Sequence, residues 1–258
     1  LGLLKPTSGR IELDGTDLVA DPAYGRRVIG FLPQSQVTMD SIHVDEFIHH
    51  VGLLRGLSRA EARAATEGLI ERLHLAEFRH TRMFTASGGV RRLAGFAAAV
   101  VSQPRLVVLD EPTNDVDPVR RQTLWGMVDQ LGAGGTTVLL VTHNLAEAER
   151  VLDRFAIIDA GRILREGTTS ALRGIVSDQV RLDISGPGEF LPHPALVADP
   201  GLPGRYLFEE QDLGEIALWV SGLRSQGLVA DYRIGPPTLD DIYTAVVGRP
   251  LAAEEAAA

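Results

Sequence analysis

Asp110 and Glu111 stand side by side at the end of Arg105-Leu-Val-Val-Leu-Asp-Glu-Pro-Thr113. Adjacent carboxylates of this kind can divide one hydrolytic task. An aspartate oxygen is a hard donor suited to Mg²⁺, and a glutamate beside it can orient and deprotonate an attacking water. A lone pair reads first as an acidic helix cap, but its setting argues for chemistry. Leu106 to Leu109 is an unbroken apolar run with the length and β-branched content of a strand buried on both faces. The carboxyl edge of a parallel sheet is where α/β proteins bind ligands.

Three other segments accompany the pair. Thr85-Ala-Ser-Gly-Gly-Val-Arg-Arg92 runs into the apolar Leu93 to Val101. Small residues ahead of a helical run leave backbone N–H groups open to a phosphate. Thr137 to Thr142 reads as another buried strand and delivers His143, while Val28 to Pro33 delivers Gln34. In this order, over residues 1 to about 170, the segments resemble the nucleotide-binding subunits of ATP-binding cassette (ABC) transporters. Gln34 matches the Q-loop, Ser87-Gly88-Gly89 the signature motif and Leu106 to Glu111 the Walker B strand. Asn114-Asp-Val-Asp117 matches the D-loop and His143 the H-loop.

The resemblance implies an α/β fold, a P-loop NTPase-like ABC ATPase sheet with a helical subdomain, acting on ATP with Mg²⁺. It implies Asp110 and Gln34 at the metal, Glu111 as the base, Gln34 also sensing the attacking water, and His143 steadying the γ-phosphate. Ser87, Gly88, Gly89 and Asp117 would belong to nucleotide contacts across a dimer. The family has Leu before the Ser-Gly-Gly and usually Gln or Met after it, where this chain has Ala86 and Val90. The hydroxyl and both glycine amides survive, which implies a weakened rather than a lost signature.

One family element is missing. No Gly-x-x-x-x-Gly-Lys-Ser/Thr phosphate loop occurs in the 258 residues, and Leu1-Gly-Leu-Leu-Lys-Pro-Thr-Ser-Gly9 looks like the segment that follows it. The expectation is a chain lacking its first strand, loop and helix, with a genuinely degenerate subunit as the alternative. Gln34, Asp110, Glu111 and His143 all serve the chain's own nucleotide in the family, and their joint presence favours truncation. As given, the chain is expected to be inactive. The family's first strand lies beside the one carrying His143, so Val138 to Val141 would be left as an edge, apolar on both faces.

A 45% hydrophobic content and 258 residues allow one large or two modest domains with ample core. Net charge is −9, and no basic cluster exceeds two or three residues, so the footprint of a nucleic-acid partner is lacking. Zero cysteines exclude disulfides and thiolate metal sites. No apolar stretch approaches a membrane span. A transport role would therefore place the chain in the cytoplasm, on the inner face of the cell membrane, held there by separate integral membrane permease subunits.

Along the chain, Arg10 to Asp14 alternates as a half-buried strand turning at Asp14-Gly15. Asp40 to about Leu54 shows helical spacing, with Asp45 and Glu46 in its first turn. Ser58-Arg-Ala-Glu61 is a capping box opening a helix through Leu73. Asp117-Pro118 starts a helix running to Leu131, and Phe155 to Arg165 reads as a hairpin. The expected organisation is an ATPase domain over 1–174, with a helical insert over about 35–100. A small α+β module would cover 175–248 and a flexible tail 249–258. Within the module, Val180 to Ile184, Arg205 to Phe208 and Val229 to Ile234 read as strands, and Asp212 to Gln226 as a helix. Pro237 to Gly248 resembles the closing helix of drug-type, ABC-2-like exporter subunits.

Other residues carry plainer readings. Asp117 is explained by its capping role alone. Arg91 and Arg92 read as surface charges, Trp125 and Trp219 as packing residues. His49-His50 is assigned no metal, because adjacent helix positions face different ways. The expected function is the ATP-hydrolysing subunit of an ABC exporter, paired with a second nucleotide-binding subunit and with permeases. Two alternatives stay open: an ABC-type ATPase driving a soluble machine, and a non-catalytic subunit lending its signature face to an intact partner.

Overall fold

The computed structural model describes residues 2, 4–35, 41–186, 191–199 and 202–248. Asp40 and the 249–258 tail lie outside them. The chain forms two compact units, Leu1–His143 and Asn144–Ala258.

The first unit opens with a short hairpin, β1 (Glu12–Leu13) and β2 (Thr16–Asp17), turning at Asp14-Gly15 as expected. It is more exposed than a half-buried strand would be, with Ile11 open to solvent. There follow α1 (Pro22–Val28), β3 (Ile29–Leu32), α2 (Val44–Leu54), α3 (Arg59–Arg72), α4 (Gly88–Val100), β4 (Leu106–Asp110), α5 (Pro118–Ala133) and β5 (Thr137–Val141). Capping chemistry sets the helix starts. The Asp21 carboxylate accepts from Tyr24 N–H ahead of Pro22, and the Ser58 hydroxyl and Glu61 carboxylate cap reciprocally. A side-chain cap of this kind stabilises a helix by about 1 kcal/mol. Helix α2 begins at Val44, after the sequence-expected Asp40, because Glu46 accepts the His43 backbone N–H and closes the first turn there.

Strands β3, β4 and β5 form a parallel sheet in that order, with Leu32 opposite Leu109 and Asp110 opposite Val141. One face is closed by α4. A Cβ on Gly30 would overlap the Ala99 carbonyl oxygen, and one on Gly95 would come 2.9 Å from Leu32 Cδ1. Helix α4 is buried at every residue from Arg92 to Val100, as befits a helix apolar all round, with α2 and α3 also packed against it.

The sheet's other face corrects two sequence expectations. Strand β4 is not buried on both faces: Val107 and Leu109 are fully buried while Leu106 and Val108 are only partly so. Strand β5 is not a buried strand at all, with Leu139 55% and Val141 53% exposed. The physical reason is position. Among the described residues β5 pairs with β4 alone, so its outer edge and one apolar face remain open. The unpaired edge expected at Val138 to Val141 is thus present among the described residues.

The second unit contains α6 (Leu145–Ala148), the hairpin β6 (Phe155–Asp159) and β7 (Arg162–Gly167), α7 (Thr169–Arg173), β8 (Gln179–Ser185), β9 (Val197–Ala198), β10 (Arg205–Glu209), α8 (Leu213–Ser225), β11 (Asp231–Gly235) and α9 (Leu239–Val247). Ile157, Leu172, Val176, Leu239, Ile242 and Tyr243 make one core, which places α9 against the hairpin layer. The antiparallel sheet β11-β8-β10-β9 packs Leu182 and Phe208 against Ile216 and Val220 of α8. Arg181 and Arg205 each approach the buried Asp241 of α9 at 3.6 Å. No helix among the described residues is long and apolar enough to cross a membrane.

An open apolar edge recruits other chains. The 258-residue chain is therefore expected to self-associate through β5, and Leu139→Thr with Val141→Thr to lower its light scattering while leaving its helical circular dichroism unchanged. Undiminished scattering from the double variant would place the association elsewhere.

Candidate functional site

The parallel sheet delivers the two strand exits side by side. Gln34 follows β3, exposed, and Asp110 closes β4, half-buried. Glu111 comes next and leaves the strand conformation, with a left-handed φ of 50°. Its backbone N–H donates to the Val141 carbonyl at 2.8 Å, tying it to the end of β5.

The Glu111 side chain is buried, and three donors from the segment after β5 hold its carboxylate. His143 N–H reaches Oε1 at 2.9 Å, His143 Nδ1 lies 2.8 Å from the same oxygen, and the Thr142 hydroxyl donates to Oε2 at 3.1 Å. Glu111 and His143 are thus brought into direct contact, with the imidazole much the more exposed partner. The charge of the Asp110 carboxylate also acts on the Arg92 guanidinium, favouring its protonated form.

The Ser87-Gly88-Gly89 segment forms the start of α4. Ser87 is the N-cap, its hydroxyl accepting from Val90 N–H at 3.3 Å. Gly89 meets the loop after β4: a Cβ there would stand 2.6 Å from the Asp115 carbonyl oxygen and 3.4 Å from Val116 Cα. This close approach is the local reason for glycine. Asp115 itself has a φ of 62°. Asp117 caps α5, accepting from Val119 and Arg120 N–H at 3.2 and 3.1 Å and from the Arg120 guanidinium at 2.9 Å. The Arg120 amide, then its side chain, hold the Asp117 carboxyl below the usual aspartate range.

Arg92 corrects the sequence reading. It is not a surface charge but 4% exposed, and its guanidinium donates to main-chain carbonyls on both strand exits. Nη1 reaches Pro33 O at 2.5 Å and Gln34 O at 3.1 Å, Nε reaches Glu111 O at 2.9 Å, and Nη2 reaches Glu111 O at 2.5 Å and also the Asp110 carbonyl. The available signal was the run Leu93 to Val101, which offers Arg92 no solvent-facing stripe. Arg91 is half-buried, donating to Phe84 O. Trp125 is buried as expected of a packing residue, and Trp219 packs on the α8 core against His193.

The family described as ABC transporter matches residues 1–114. A daunorubicin resistance ATP-binding protein of Streptomyces coeruleorubidus is 33% identical over 99% of this chain and 83% of its own length. The chain belongs to the ABC transporter family of ATP-binding subunits. A daunorubicin/doxorubicin resistance ATP-binding protein of Streptomyces peucetius is 38% identical over 69% of this chain, which spans 54% of that protein. A Nod factor export ATP-binding protein of Paraburkholderia xenovorans is 30% identical over 96% of this chain and 82% of its own length. Among solved structures, an ATP-binding subunit of an ABC transporter aligns at a TM-score of 0.64 and 28% identity, over 68% of this chain and 73% of that one. Its α/β fold is accordingly that of an ABC ATPase, a nucleotide-binding, ATP-hydrolysing transport subunit.

The Gly89 contact gives a direct check within this ABC fold. Gly89→Ala is expected to destabilise the protein by about 1–3 kcal/mol, since it must push apart two backbone segments. Gly68→Ala in α3, where a Cβ meets nothing within 4 Å, is expected to raise stability by about 0.5–1 kcal/mol. Urea unfolding of the two variants distinguishes them, and equal effects would remove the packing explanation of Gly89.

Proposed function

We propose that this ABC subunit hydrolyses ATP to drive a membrane exporter, with Glu111 as the general base. The observation that carries this reading is the Glu111 carboxylate, buried and oriented by Thr142 and His143, next in the chain to Asp110. In-line attack on a phosphoryl group needs little covalent help from a protein; positioning and electrostatics supply most of it. Glu111 takes the proton of a water approaching the γ-phosphorus. Asp110, with Gln34, would hold Mg²⁺, which supplies charge neutralisation at the phosphates when bound. His143 touches Glu111 and is the more exposed of the two, so its imidazole can steady the γ-phosphate.

The residues present fit the water and metal side of an ATP site. They also fit a phosphate approaching Ser87, Gly88 and Gly89 at the start of α4, where helix N–H groups face outward. In this reading that phosphate belongs to a nucleotide held by a second nucleotide-binding subunit, with Asp117 on the loop between the two. No Gly-x-x-x-x-Gly-Lys-Ser/Thr string is among the 258 residues, so the lysine-bearing cradle of the same nucleotide is not among the groups described. Export is supported by the relatives, which are named for drug resistance and Nod factor export. Integral membrane permeases would complete the assembly and hold the subunit at the cytoplasmic face.

In the gene-encoded protein, Glu111→Gln is expected to lower ATP turnover about 10²–10⁴-fold with ATP binding retained, because only the proton acceptor is lost. A parental rate in a coupled phosphate-release assay would end the assignment of Glu111 as base. The same variant is expected to form an ATP-dependent dimer that Ser87→Arg disrupts, since a cation there opposes the helix dipole and displaces the phosphate. Equal dimer by light scattering with either residue would sink the signature assignment.

A further inference from the structure

Arg92 joins groups that the sequence keeps far apart. Pro33 and Gln34 leave β3, Asp110 and Glu111 leave β4, and the one buried guanidinium donates to carbonyls on both. Strand exits are where carbonyls run out of ladder partners, and a buried carbonyl without a donor is costly. Arg92 satisfies several at once. The planar fork of arginine holds its donors at fixed angles, which a lysine nitrogen on a flexible stem does not. Burial lowers the Arg92 pKa, while the charges of Asp110, Glu111 and Asp115 favour its protonated form.

Its acceptors are also mechanistically placed. The Glu111 carbonyl takes two of its N–H donors, while the Glu111 N–H is bound to Val141. The left-handed peptide at Glu111 is therefore clamped on both sides, which fixes where its side chain starts, and Thr142 and His143 then orient the carboxylate. Gln34 is exposed, and the Arg92 bond to its own carbonyl is the fixed point from which its side chain extends. Arg92 also lies on α4 a little over one turn beyond the Ser87 cap, so the clamp and the cap move as one rigid piece.

We propose that Arg92 is a positioning residue for ATP hydrolysis: it sets Glu111 and Gln34 relative to each other and couples both to the signature end of α4. This rests on the reading of Glu111 as base. The test uses Arg92→Lys and Arg92→Gln in the gene-encoded protein, with saturation kinetics, thermal melting and ATP-dependent dimerisation. Arg92→Lys is expected to fold and dimerise while its kcat falls about 10²-fold, the cost of a small misplacement of reacting groups. Its KM for ATP should stay within about threefold, because uniform binding is untouched. Arg92→Gln should fold less well and show the same kcat defect per folded molecule. Added to Glu111→Gln, Arg92→Lys should lower the residual rate by much less than it lowers the parental rate, since one of the two groups it aims is gone.

A kcat for Arg92→Lys within about twofold of the parent would overturn the proposal. So would additive losses in the Glu111→Gln background, or failure of both Arg92 variants to fold, which would make Arg92 a stability residue only. A parental rate for Glu111→Gln itself would instead remove the base assignment, whatever Arg92 does.

Discussion

Helix α4 and strand β3 meet at Gly30 with no side chain between them, and the rest of the site depends on that closeness. A methyl group on Gly30 would collide with the Ala99 carbonyl oxygen, and Gly95 leaves no more room against Leu32. Packed this tightly, α4 lies near enough to the strand exits for a single side chain to span them. Its first turn in turn meets the loop after β4, where Gly89 faces the Asp115 carbonyl. Three glycines thus locate one helix. The helix then locates Gln34, Asp110 and Glu111 through Arg92.

The Walker B end illustrates how local strain becomes useful geometry. In an uninterrupted strand, consecutive side chains face opposite sides of the sheet, so Asp110 and Glu111 would be driven apart. The left-handed backbone at Glu111 ends that alternation. A non-glycine residue in such a conformation costs roughly 1–3 kcal/mol, and it persists here because its N–H and C=O both have fixed partners. The same turn carries the carboxylate to the segment after β5, where Thr142 and His143 orient it.

Much of this was legible in residues. Asp117-Pro118 and Ser58-x-x-Glu61 mark their helices because capping is a local interaction, readable over four positions. The strand ends carrying Gln34, the Asp-Glu pair and His143 were legible from apolar runs followed by polar residues. Helix α1 was not expected, though Asp21-Pro22 bears the same mark as Asp117-Pro118; seven residues are too few for apolar periodicity to register. The openness of β5 could not be read from Thr137 to Thr142, since a run apolar on both faces looks the same covered or bare. Arg92 was misread for a related reason. Adjacent arginines suggest solvent, and only the fold reveals that one of them points at four peptide carbonyls.

The same contacts leave α4 little room to move. Its far end meets β3 backbone to backbone at Gly30 and Ala99, and its first turn meets the Asp115 carbonyl at Gly89. A helix held at both ends is not shifted along the sheet without opening one contact or the other. Arg92 lies between them, so the depth at which its guanidinium reaches the strand exits is set jointly by residues 30, 89 and 99.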